Sequence, residues 1–582
     1  LPVYAETGLW LTPLPGQPAG HLAYPPITEL LEVAPQGPPM LVVKPAWRAA
    51  VIAAKDRAVA QDGWKLVWQP LTDGVRLSLF HLADDPECRR DLAAAEPARV
   101  ARHVLHGVRW IEALRTAAQL VSWLATLVVV RWVSPVDYGL NAMLEAPLEM
   151  SLMLAALGVD SALVQAPRLA PRQLESAFFL ILLASLALFV AWYAGGGWLA
   201  AWYDEPALAP LSRALSGLFL LVPLRAIPNA LLDREMQFRT RARIELATSL
   251  LAAATTLGLA LLGAGIWALV AGLLVSRALL TVLMMLAHPW FVWPRPGREA
   301  RGLLAFGAWM VVSSALTLLA GKLVNLLAGP QLGAQALGLY ALALQFAWLP
   351  IAKAMPVVNP VLFPAFARLG GQPGAARHYF TRAVELSALL VFPLMLGLAA
   401  VAQEFVVVVL GPAWRDAALP LALLSLSMPL KLLVSLLKPV LGALGQPRRV
   451  VLVNLATVLL VAASVPMALP HGVSGLACAA LAIEPLVLWC ALALAREVMP
   501  LSPSVLWRAL RPALVACAAM GVAVWLWRHA TPALAPASRL AGGVVAGALG
   551  YLACLRLVFP AETARAARVL RGRSGRGAAT EG

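Results

Sequence analysis

The sequence predicts an all-α polytopic membrane protein of about fourteen transmembrane helices, preceded by a small α+β N-terminal segment. Two observations support this fold class. The chain is 60% hydrophobic and only 13% charged, with a mean hydropathy of +0.77, whereas an average soluble domain carries about 25% charged residues. Apolar runs of about twenty residues, long enough as helices to cross the ~30 Å hydrocarbon core of a bilayer, recur along most of the chain.

One stretch, residues 231–272, shows the repeating unit most clearly. A predicted loop with four arginines is followed by an apolar run over residues 244–262, a tight turn at 263–265 and a second apolar run. The arginines are Arg234, Arg239, Arg241 and Arg243. Because Lys and Arg are retained on the cytoplasmic side of a membrane, the pattern predicts a transmembrane hairpin with a cytoplasmic basic loop.

Counting such runs gives fourteen predicted spans. They are residues 111–132, 138–158, 174–198, 211–232, 244–262, 266–287, 302–328, 336–366, 383–403, 417–443, 450–469, 473–495, 509–527 and 540–559. If the first span begins in the cytoplasm, the cytoplasmic loops, their edges and the tail hold 23 arginines and the opposite loops hold 5. This asymmetry predicts that both termini are cytoplasmic.

A weak internal repeat relates the two halves of the membrane part. Residues 133–142 (VSPVDYGLNA) match residues 332–341 (LGAQALGLYA) at an offset of 199, and GIWALV at 265–270 matches GVSGLA at 472–477 at an offset of 207. Six predicted spans separate the copies, so the two halves point the same way. A parallel repeat is typical of transporters whose two bundles enclose a site near the membrane midplane.

The charge and the cysteines exclude several other classes of protein. The net charge of +16 lies largely on arginines in short loops, which favours membrane topology and contact with anionic membrane lipids over a nucleic-acid partner. The five cysteines include no CxxC pair, and four fall in apolar segments, so neither a disulfide framework nor a zinc site is indicated. We expect no metal and no cofactor.

Several motifs occur in order along the membrane part. They are RWVSPVDYG (131–139), GVDSALVQ (158–165), the basic loop with GIWALVAG (265–272), residues 332–369 and LGALGQPRRV (441–450). Through them, about residues 107–560 resemble the polysaccharide flippases of the multidrug/oligosaccharidyl-lipid/polysaccharide superfamily, of the lipopolysaccharide-exporter type. One departure is Lys322, where family members often place an acidic residue.

The resemblance implies a transporter and not an enzyme. Such proteins have two six-helix bundles around a central cavity and pass polyprenyl-pyrophosphate-linked oligosaccharides across the bacterial inner membrane by alternating access. It also implies a monomer, with a polysaccharide polymerase and glycosyltransferases as possible partners. The predicted regions are 106–287 for the first bundle, 288–497 for the second, 498–560 for two additional helices and 561–582 for a basic, flexible cytoplasmic tail.

Residues 1–105 differ from the rest of the chain, being rich in turns and charges. Alternating apolar and polar residues at 64–68 and 75–80, separated by Leu71-Thr72-Asp73-Gly74, predict a β-hairpin, and a helix is expected before residue 105. Four stretches, at 5–10, 24–31, 62–66 and 79–86, resemble the C-terminal end of a sulfatase-like hydrolase. That family's catalytic residues belong to another part of its chain, so the segment is expected to be inert.

Ionisable residues inside the spans are the candidate site residues, because such residues usually face a cavity or a partner. Converging cations would suit a pyrophosphate headgroup, although Lys and Arg near span ends also extend to the interface. The basic candidates are Arg225, Arg277, Lys322, Lys353, Lys431 and Lys438. Lys431 and Lys438 are seven residues apart and should share a helix face.

Glu149 and Glu484 lie deepest among the acidic candidates for ion coupling. Each is equally consistent with an internal ion pair that holds helices together. Two other functions stay open: a cation-coupled drug antiporter of the same superfamily, with more acidic spans, and a remnant of a sulfatase-like hydrolase fused to a flippase. Tryptophans at span ends are typical of interface anchors, and they include Trp132, Trp198, Trp202, Trp414, Trp525 and Trp527.

Overall fold

Helices make up most of the computed structural model of the protein. The structure describes separate segments between residues 3 and 96, and then residues 126–156, 158, 171–234, 238–288, 293–297, 301–367 and 373–560. In chain order the helices are α1 (Pro135–Ala156), α2 (Pro171–Tyr203), α3 (Leu208–Arg234), α4 (Phe238–Leu261), α5 (Ile266–Ala287), α6 (Arg301–Ala367), α7 (Pro373–Ala400), α8 (Ala402–Phe405), α9 (Ala418–Ala443), α10 (Pro447–Ala468), α11 (Gly472–Ala495), α12 (Pro503–Ala530) and α13 (Pro536–Val558). Within the described ranges, ten stretches are long and apolar enough to cross a membrane.

The second to fourteenth predicted spans coincide with described helices, and α6 covers two of them. Gly333 interrupts α6 with a φ of 75° and a ψ of 173°, so its halves, 301–332 and 334–367, correspond to the seventh and eighth predicted spans. The first predicted span, 111–132, lies largely outside the described residues. The count of fourteen therefore stays a prediction.

The predicted hairpin after residue 231 is confirmed, with one correction to its basic loop. Helices α4 and α5 are joined by a tight turn in which Gly263 and Gly265 have φ angles of 77° and 55°, a region that favours glycine. The arginines predicted to lie in a loop instead end α3 and begin α4, where Arg241 Nε lies 3.0 Å from Glu245 Oε1. An i,i+4 pair of this kind supports the first turns of the helix.

The N-terminal region contains a four-stranded antiparallel sheet and a separate pair of strands. The strands are β1 (Val3–Glu6), β2 (Leu31–Val33), β3 (Leu41–Val43), β4 (Arg57–Gln61), β5 (Trp64–Leu71) and β6 (Gly74–His81). The order in the sheet is β1-β4-β5-β6, and β2 pairs with β3. The predicted hairpin is confirmed as β5 and β6, which pair from Trp64 opposite His81 to Leu71 opposite Gly74. The helix expected before residue 105 lies mostly outside the described residues.

Helix α1 and the second half of α6 cross with their backbones in contact. A Cβ atom on Gly139 would lie 1.7 Å from the carbonyl oxygen of Ala334, and one on Gly338 would lie 1.9 Å from that of Pro135. Residues 139 and 338, like residues 135 and 334, are 199 positions apart, which is the offset of the sequence repeat. The contact is therefore reciprocal, as expected where two copies of one motif meet about a twofold axis.

The last two helices are attached to the second half of the chain by a buried carboxylate. Glu404, in α8, is 5% exposed, and its Oε1 atom lies 3.0 Å from Nε of Arg528 and 3.3 Å from Nη2 of Arg539. Arg528 belongs to α12 and Arg539 to α13, so one carboxylate joins three helices. Gly542 adds to the packing, because a Cβ there would lie 2.1 Å from the ring of Trp527.

We expect Gly139→Ala to lower the free energy of unfolding by about 1–3 kcal/mol, because a methyl group would force the crossing helices apart. The measurement is chemical unfolding of the purified protein in detergent. Gly258→Ala is the matched control, since a Cβ at Gly258 in α4 meets nothing within 4 Å. Equal stability of the two variants would contradict the close crossing.

We expect Glu404→Gln to destabilise the protein by about 3–5 kcal/mol, because it leaves two arginines facing each other without their buried counter-charge. The control is Glu497→Gln, which removes an ion pair to Arg449 at an exposed carboxylate and should cost at most about 1 kcal/mol. Thermal unfolding in detergent measures both. A loss no larger for Glu404→Gln than for Glu497→Gln would show that this carboxylate does not hold the last helices.

Candidate functional site

A cavity of about 1000 Å³ lies between helices of the two halves of the chain. Its walls come from α1, both halves of α6, α9, α10 and α11. Charged side chains line it alongside apolar ones, together with uncharged polar groups and one tryptophan. The charged and polar residues and the tryptophan are Tyr138, Asn141, Glu145, Ser314, Thr317, Lys322, Asn325, Gln345, Trp348, Lys431, Ser435, Lys438, Thr457 and Glu484.

The first charge cluster joins α1 to the first half of α6. Lys322 Nζ lies 2.8 Å from Glu145 Oε1 and 3.7 Å from Glu149 Oε2. Glu145 and Glu149 are four residues apart on α1, so both carboxylates face the same ammonium group. Arg277 of α5 also interacts electrostatically with Glu149. Family members often place an acidic residue at the position of Lys322. In this chain the position holds a lysine, which forms ion pairs with two carboxylates of α1.

The second charge cluster joins α9 to α11 and to the second half of α6. Lys431 Nζ lies 3.4 Å from Glu484 Oε1 and 5.6 Å from the centroid of the Trp348 ring. The distance to the ring is within the range of a cation–π contact. Lys438 lies on the same face of α9, two turns along, and interacts electrostatically with both Lys431 and Glu484. The shared face expected from the seven-residue spacing is therefore present.

The structure separates the predicted candidates into two groups. Lys322, Lys431, Lys438 and Glu484 line the cavity, and Glu149 contacts it through its ion pair with Lys322. The other candidates, Arg225 in α3, Arg277 in α5 and Lys353 in α6, do not line it. Lys353 immediately follows the cavity-lining Ala352, and a step of one residue turns a helical side chain by about 100°.

Sequence reasoning missed the uncharged polar part of the wall. Asn325 is only 6% exposed, and Asn454 Nδ2 donates a hydrogen bond of 2.8 Å to Oγ1 of the cavity-lining Thr317. A search limited to ionisable residues could not find them. A broader search for every polar residue inside the spans would have included both, because a polar group within a bilayer also needs a partner.

The motif at 131–139 joins α1 to the second half of the chain at the end of the cavity lined by Tyr138, which we call the closed end. Tyr138 lines this end and donates a hydrogen bond of 3.1 Å to Oε1 of Gln345, on the second half of α6. Beside it, Arg131 donates to the carbonyl oxygens of Val408 and Val409 in the π-helix Val406–Leu410 that follows α8. The side chain of Asp137 accepts a hydrogen bond of 2.9 Å from the backbone of Ile266 at the start of α5. These contacts define the closed end.

Trp414 belongs to the closed end, and its prediction as an interface anchor is wrong. Only 1% of this residue is exposed, its Nε1 donates a hydrogen bond of 2.9 Å to the carbonyl oxygen of Val130, and its ring contacts that of Tyr138 edge-to-face. Trp132 and Trp198, by contrast, are exposed by more than half, as interface anchors should be. Position near a span end alone does not distinguish the two roles.

We expect Lys322 and Glu145 to be energetically coupled, because each is the nearest opposite charge to the other in a partly buried site. A double-mutant cycle with Lys322→Met and Glu145→Gln should give a coupling energy of about 1 kcal/mol or more. Chemical unfolding in detergent is the measurement. The control cycle is the i,i+4 pair Arg241 and Glu245 within α4, for which about 0.3–0.5 kcal/mol is expected. Equal coupling in the two cycles would contradict a special role of the cavity environment.

Comparison with known proteins shows which family the chain belongs to. The chain is 29% identical to the teichuronic acid biosynthesis protein TuaB of Bacillus subtilis (strain 168), over 46% of this chain and 55% of the relative. It is 27% identical to the lipopolysaccharide biosynthesis protein WzxC of Escherichia coli (strain K12), over 54% of this chain and 64% of the relative. The chain thus spans between half and two thirds of the length of these relatives.

The fold is similar to that of the lipid II flippase MurJ in an inward closed conformation. The TM-score is 0.65 at 14% sequence identity, and the match covers 78% of this chain and 99% of that one. At this identity the likeness is one of fold. Residues 128–419, half of the sequence, match the family described as polysaccharide biosynthesis protein. The chain is therefore an integral membrane protein that belongs to the polysaccharide biosynthesis protein family.

Proposed function

We propose that the protein is an inner-membrane flippase that moves a polyprenyl-pyrophosphate-linked oligosaccharide across the membrane for the synthesis of surface polysaccharide. The observation that carries this proposal is the central cavity. It places Lys322, Lys431 and Lys438 against two lining carboxylates, Glu145 and Glu484. Membership of the family supports a role in polysaccharide synthesis. The names of the relatives refer to teichuronic acid and lipopolysaccharide, both surface polymers.

The balance of charge in the cavity favours an anionic cargo. The described lining residues carry three positive and two negative side chains, and Glu149 and Arg277 add one charge of each sign behind Lys322. A pyrophosphate leaving water for this site needs cations close by, because charges attract more strongly where the dielectric constant is low. A cation-coupled drug antiporter, the alternative from the same superfamily, would require the opposite balance. The headgroup is therefore assigned to Lys431 and Lys438, with Lys322 on the facing wall.

The carboxylates have a defined part in this proposal. Without cargo, Glu484 balances Lys431, and Glu145 and Glu149 balance Lys322, so that no lysine of these pairs is left unpaired in the membrane. An entering pyrophosphate replaces the carboxylates as the partner of the lysines. Protonation of Glu149 or Glu484 would have the same effect, which is how these residues would couple transport to an ion gradient.

Alternating access requires that the closed end of the cavity can open. In the predicted orientation this end faces the periplasm, so the cavity would be reached from the cytoplasm, and both termini would be cytoplasmic. Opening would separate α1 from the second half of α6, and with it Arg131 from the π-helix. The bundles of the proposal are residues 106–287 and 288–497, with 498–560 as two additional helices and the tail 561–582 in the cytoplasm.

Residues 1–105 have no assigned part in transport. The family match begins at residue 128, after the N-terminal sheet, and the resemblance to the end of a sulfatase-like hydrolase stays a prediction. The catalytic motifs of that hydrolase family belong to a part of its chain that residues 1–105 do not match. We therefore assign no reaction to residues 1–105. Partner enzymes such as a polymerase and glycosyltransferases likewise stay part of the proposal, as does a monomeric state.

We expect Lys438→Met to slow flipping by about tenfold or more, because loss of one charge-assisted hydrogen bond costs about 1.5–3 kcal/mol. The measurement is translocation of a fluorescent polyprenyl-pyrophosphate oligosaccharide in liposomes containing the purified full-length chain. Lys353→Met is the matched control, since Lys353 lies on a spanning helix but does not line the cavity.

Three outcomes would count against the proposal in different ways. Equal rates for Lys438→Met and Lys353→Met, with unchanged elution of both variants, would contradict the site. Absence of flipping by the unmodified chain in correctly oriented liposomes would contradict the function. Uptake of a cationic dye in place of the oligosaccharide would support the antiporter.

A further inference from the structure

A second cationic pocket lies away from the central cavity, between α7 and α12. Its volume is about 430 Å³, and it shares no lining residue with the central cavity. Arg377, Thr381 and Glu385 form one wall, spaced four residues apart along one face of α7. Arg508 is the cation on the facing wall, from α12, and His378 completes the polar lining.

The two helices run side by side in the same direction, so the pocket lies at one end of both. Both Arg377 and Arg508 are in the second turn of their helices. At the other end, Arg528 near the end of α12 donates a hydrogen bond to the carbonyl oxygen of Ala400, the last residue of α7. The pocket is therefore formed where α12, one of the two additional helices, begins beside the second half of the chain.

The pocket has an excess of positive charge. Glu385 is its one lining carboxylate among the described residues, and its Oε2 lies 2.7 Å from Nη1 of Arg382. Within the described part of the chain, neither Arg377 nor Arg508 has a carboxylate within 4.0 Å. Two guanidinium groups thus face one small cavity while the nearby carboxylate already has a partner. Such an arrangement matches a phosphate, which accepts several hydrogen bonds from guanidinium groups.

The aromatic residues beside the pocket place it at the membrane surface. Tyr379 is 55% exposed and Trp507 is 57% exposed, and each neighbours a lining residue in the sequence. Exposed Trp and Tyr at the ends of spanning helices lie at the level of the lipid headgroups. Arg511 lies one turn further along α12, and its guanidinium carbon is 5.4 Å from the centroid of the Phe559 ring. Phosphate groups of lipids are the anions that are concentrated at this level.

We propose that this pocket binds the phosphate headgroup of an anionic phospholipid, which bridges α7 and α12. Basic pockets between spanning helices are suited to such headgroups. The volume is less than half that of the central cavity, which fits one phosphate headgroup better than a pyrophosphate with its glycan. The bound lipid would tie the additional helices to the second half of the chain at the end opposite Glu404. This inference does not depend on the transported cargo.

The test is native mass spectrometry of the full-length chain in detergent with equal amounts of phosphatidylglycerol and phosphatidylcholine of the same acyl chains. The pocket variant is Arg377→Gln/Arg508→Gln. The matched control is Arg172→Gln/Arg448→Gln, which removes two exposed arginines from the first turns of α2 and α10, at the same predicted side of the membrane. Both variants change the net charge equally.

We expect the unmodified chain to prefer phosphatidylglycerol. The pocket variant should bind it about tenfold more weakly or worse, because loss of even one charge-assisted hydrogen bond to the phosphate costs about a factor of ten. The control should change by less than about twofold. The single variant Arg508→Glu, at an exposed side chain, should also abolish the preference. Equal binding by the pocket and control variants would overturn the proposal.

Two further arms of the experiment identify the source of the phosphate. Displacement of phosphatidylglycerol from the pocket by an excess of inorganic phosphate would show a soluble anion site and overturn the phospholipid assignment. Loss of polyprenyl-pyrophosphate binding in the pocket variant, with phosphatidylglycerol binding retained, would also overturn it and would make the pocket a cargo site. Retained cargo binding with lost phosphatidylglycerol binding supports the proposal.

Discussion

The crossing of α1 with the second half of α6 is the contact on which the rest of the membrane part depends. Two helices come this close only where neither presents a side chain, and Gly139 and Gly338 meet that condition reciprocally. The crossing determines the distance between α1 and the second half of α6, and both of these helices line the cavity. It also brings Tyr138 within hydrogen-bond distance of Gln345 and against Trp414, so the closed end follows from the same geometry.

Electrostatics imposes the second constraint. Five charged side chains line one cavity among apolar helices, and four of them are arranged as ion pairs between helices. Each pair joins elements from different parts of the chain: α1 to α6 in one, α9 to α11 in the other. A protein that only needed stability would gain as much from apolar residues of similar volume. Retaining charges here is instead consistent with a cavity whose cations exchange partners with an anionic cargo.

Charged groups lie at both ends of α12, the first of the two additional helices. Glu404 joins α8, α12 and α13 through two arginines at one end, and the pocket of Arg377 and Arg508 lies at the other. The protein itself supplies the counter-charge for the first group, whereas two arginines of the second lack one among the described residues. The difference suits a permanent attachment at the Glu404 end and a lipid-dependent contact at the pocket end.

Much of the architecture could be predicted because it depends on local properties. Whether a run of residues forms a long apolar helix is indicated largely by its own length and composition, so thirteen of the fourteen predicted spans coincide with described helices. The α4–α5 turn follows from Gly263 and Gly265, whose φ angles suit glycine. The β5–β6 hairpin follows from its alternation. The repeat offset of 199 was also readable, and it relates the residues that meet at the crossing.

The sequence by itself determined which of the described segments form long helices and which ionisable residues lie within them. Only the tertiary structure decided which of those residues share a cavity. Lys353 and Lys431 are both deep in spans, yet Lys431 lines the cavity and Lys353 does not. Trp414 and Trp198 both lie near span ends, yet one is buried and the other exposed. The physical reason is that hydropathy is a property of each segment, whereas the direction a side chain faces depends on how its helix is rotated against its neighbours.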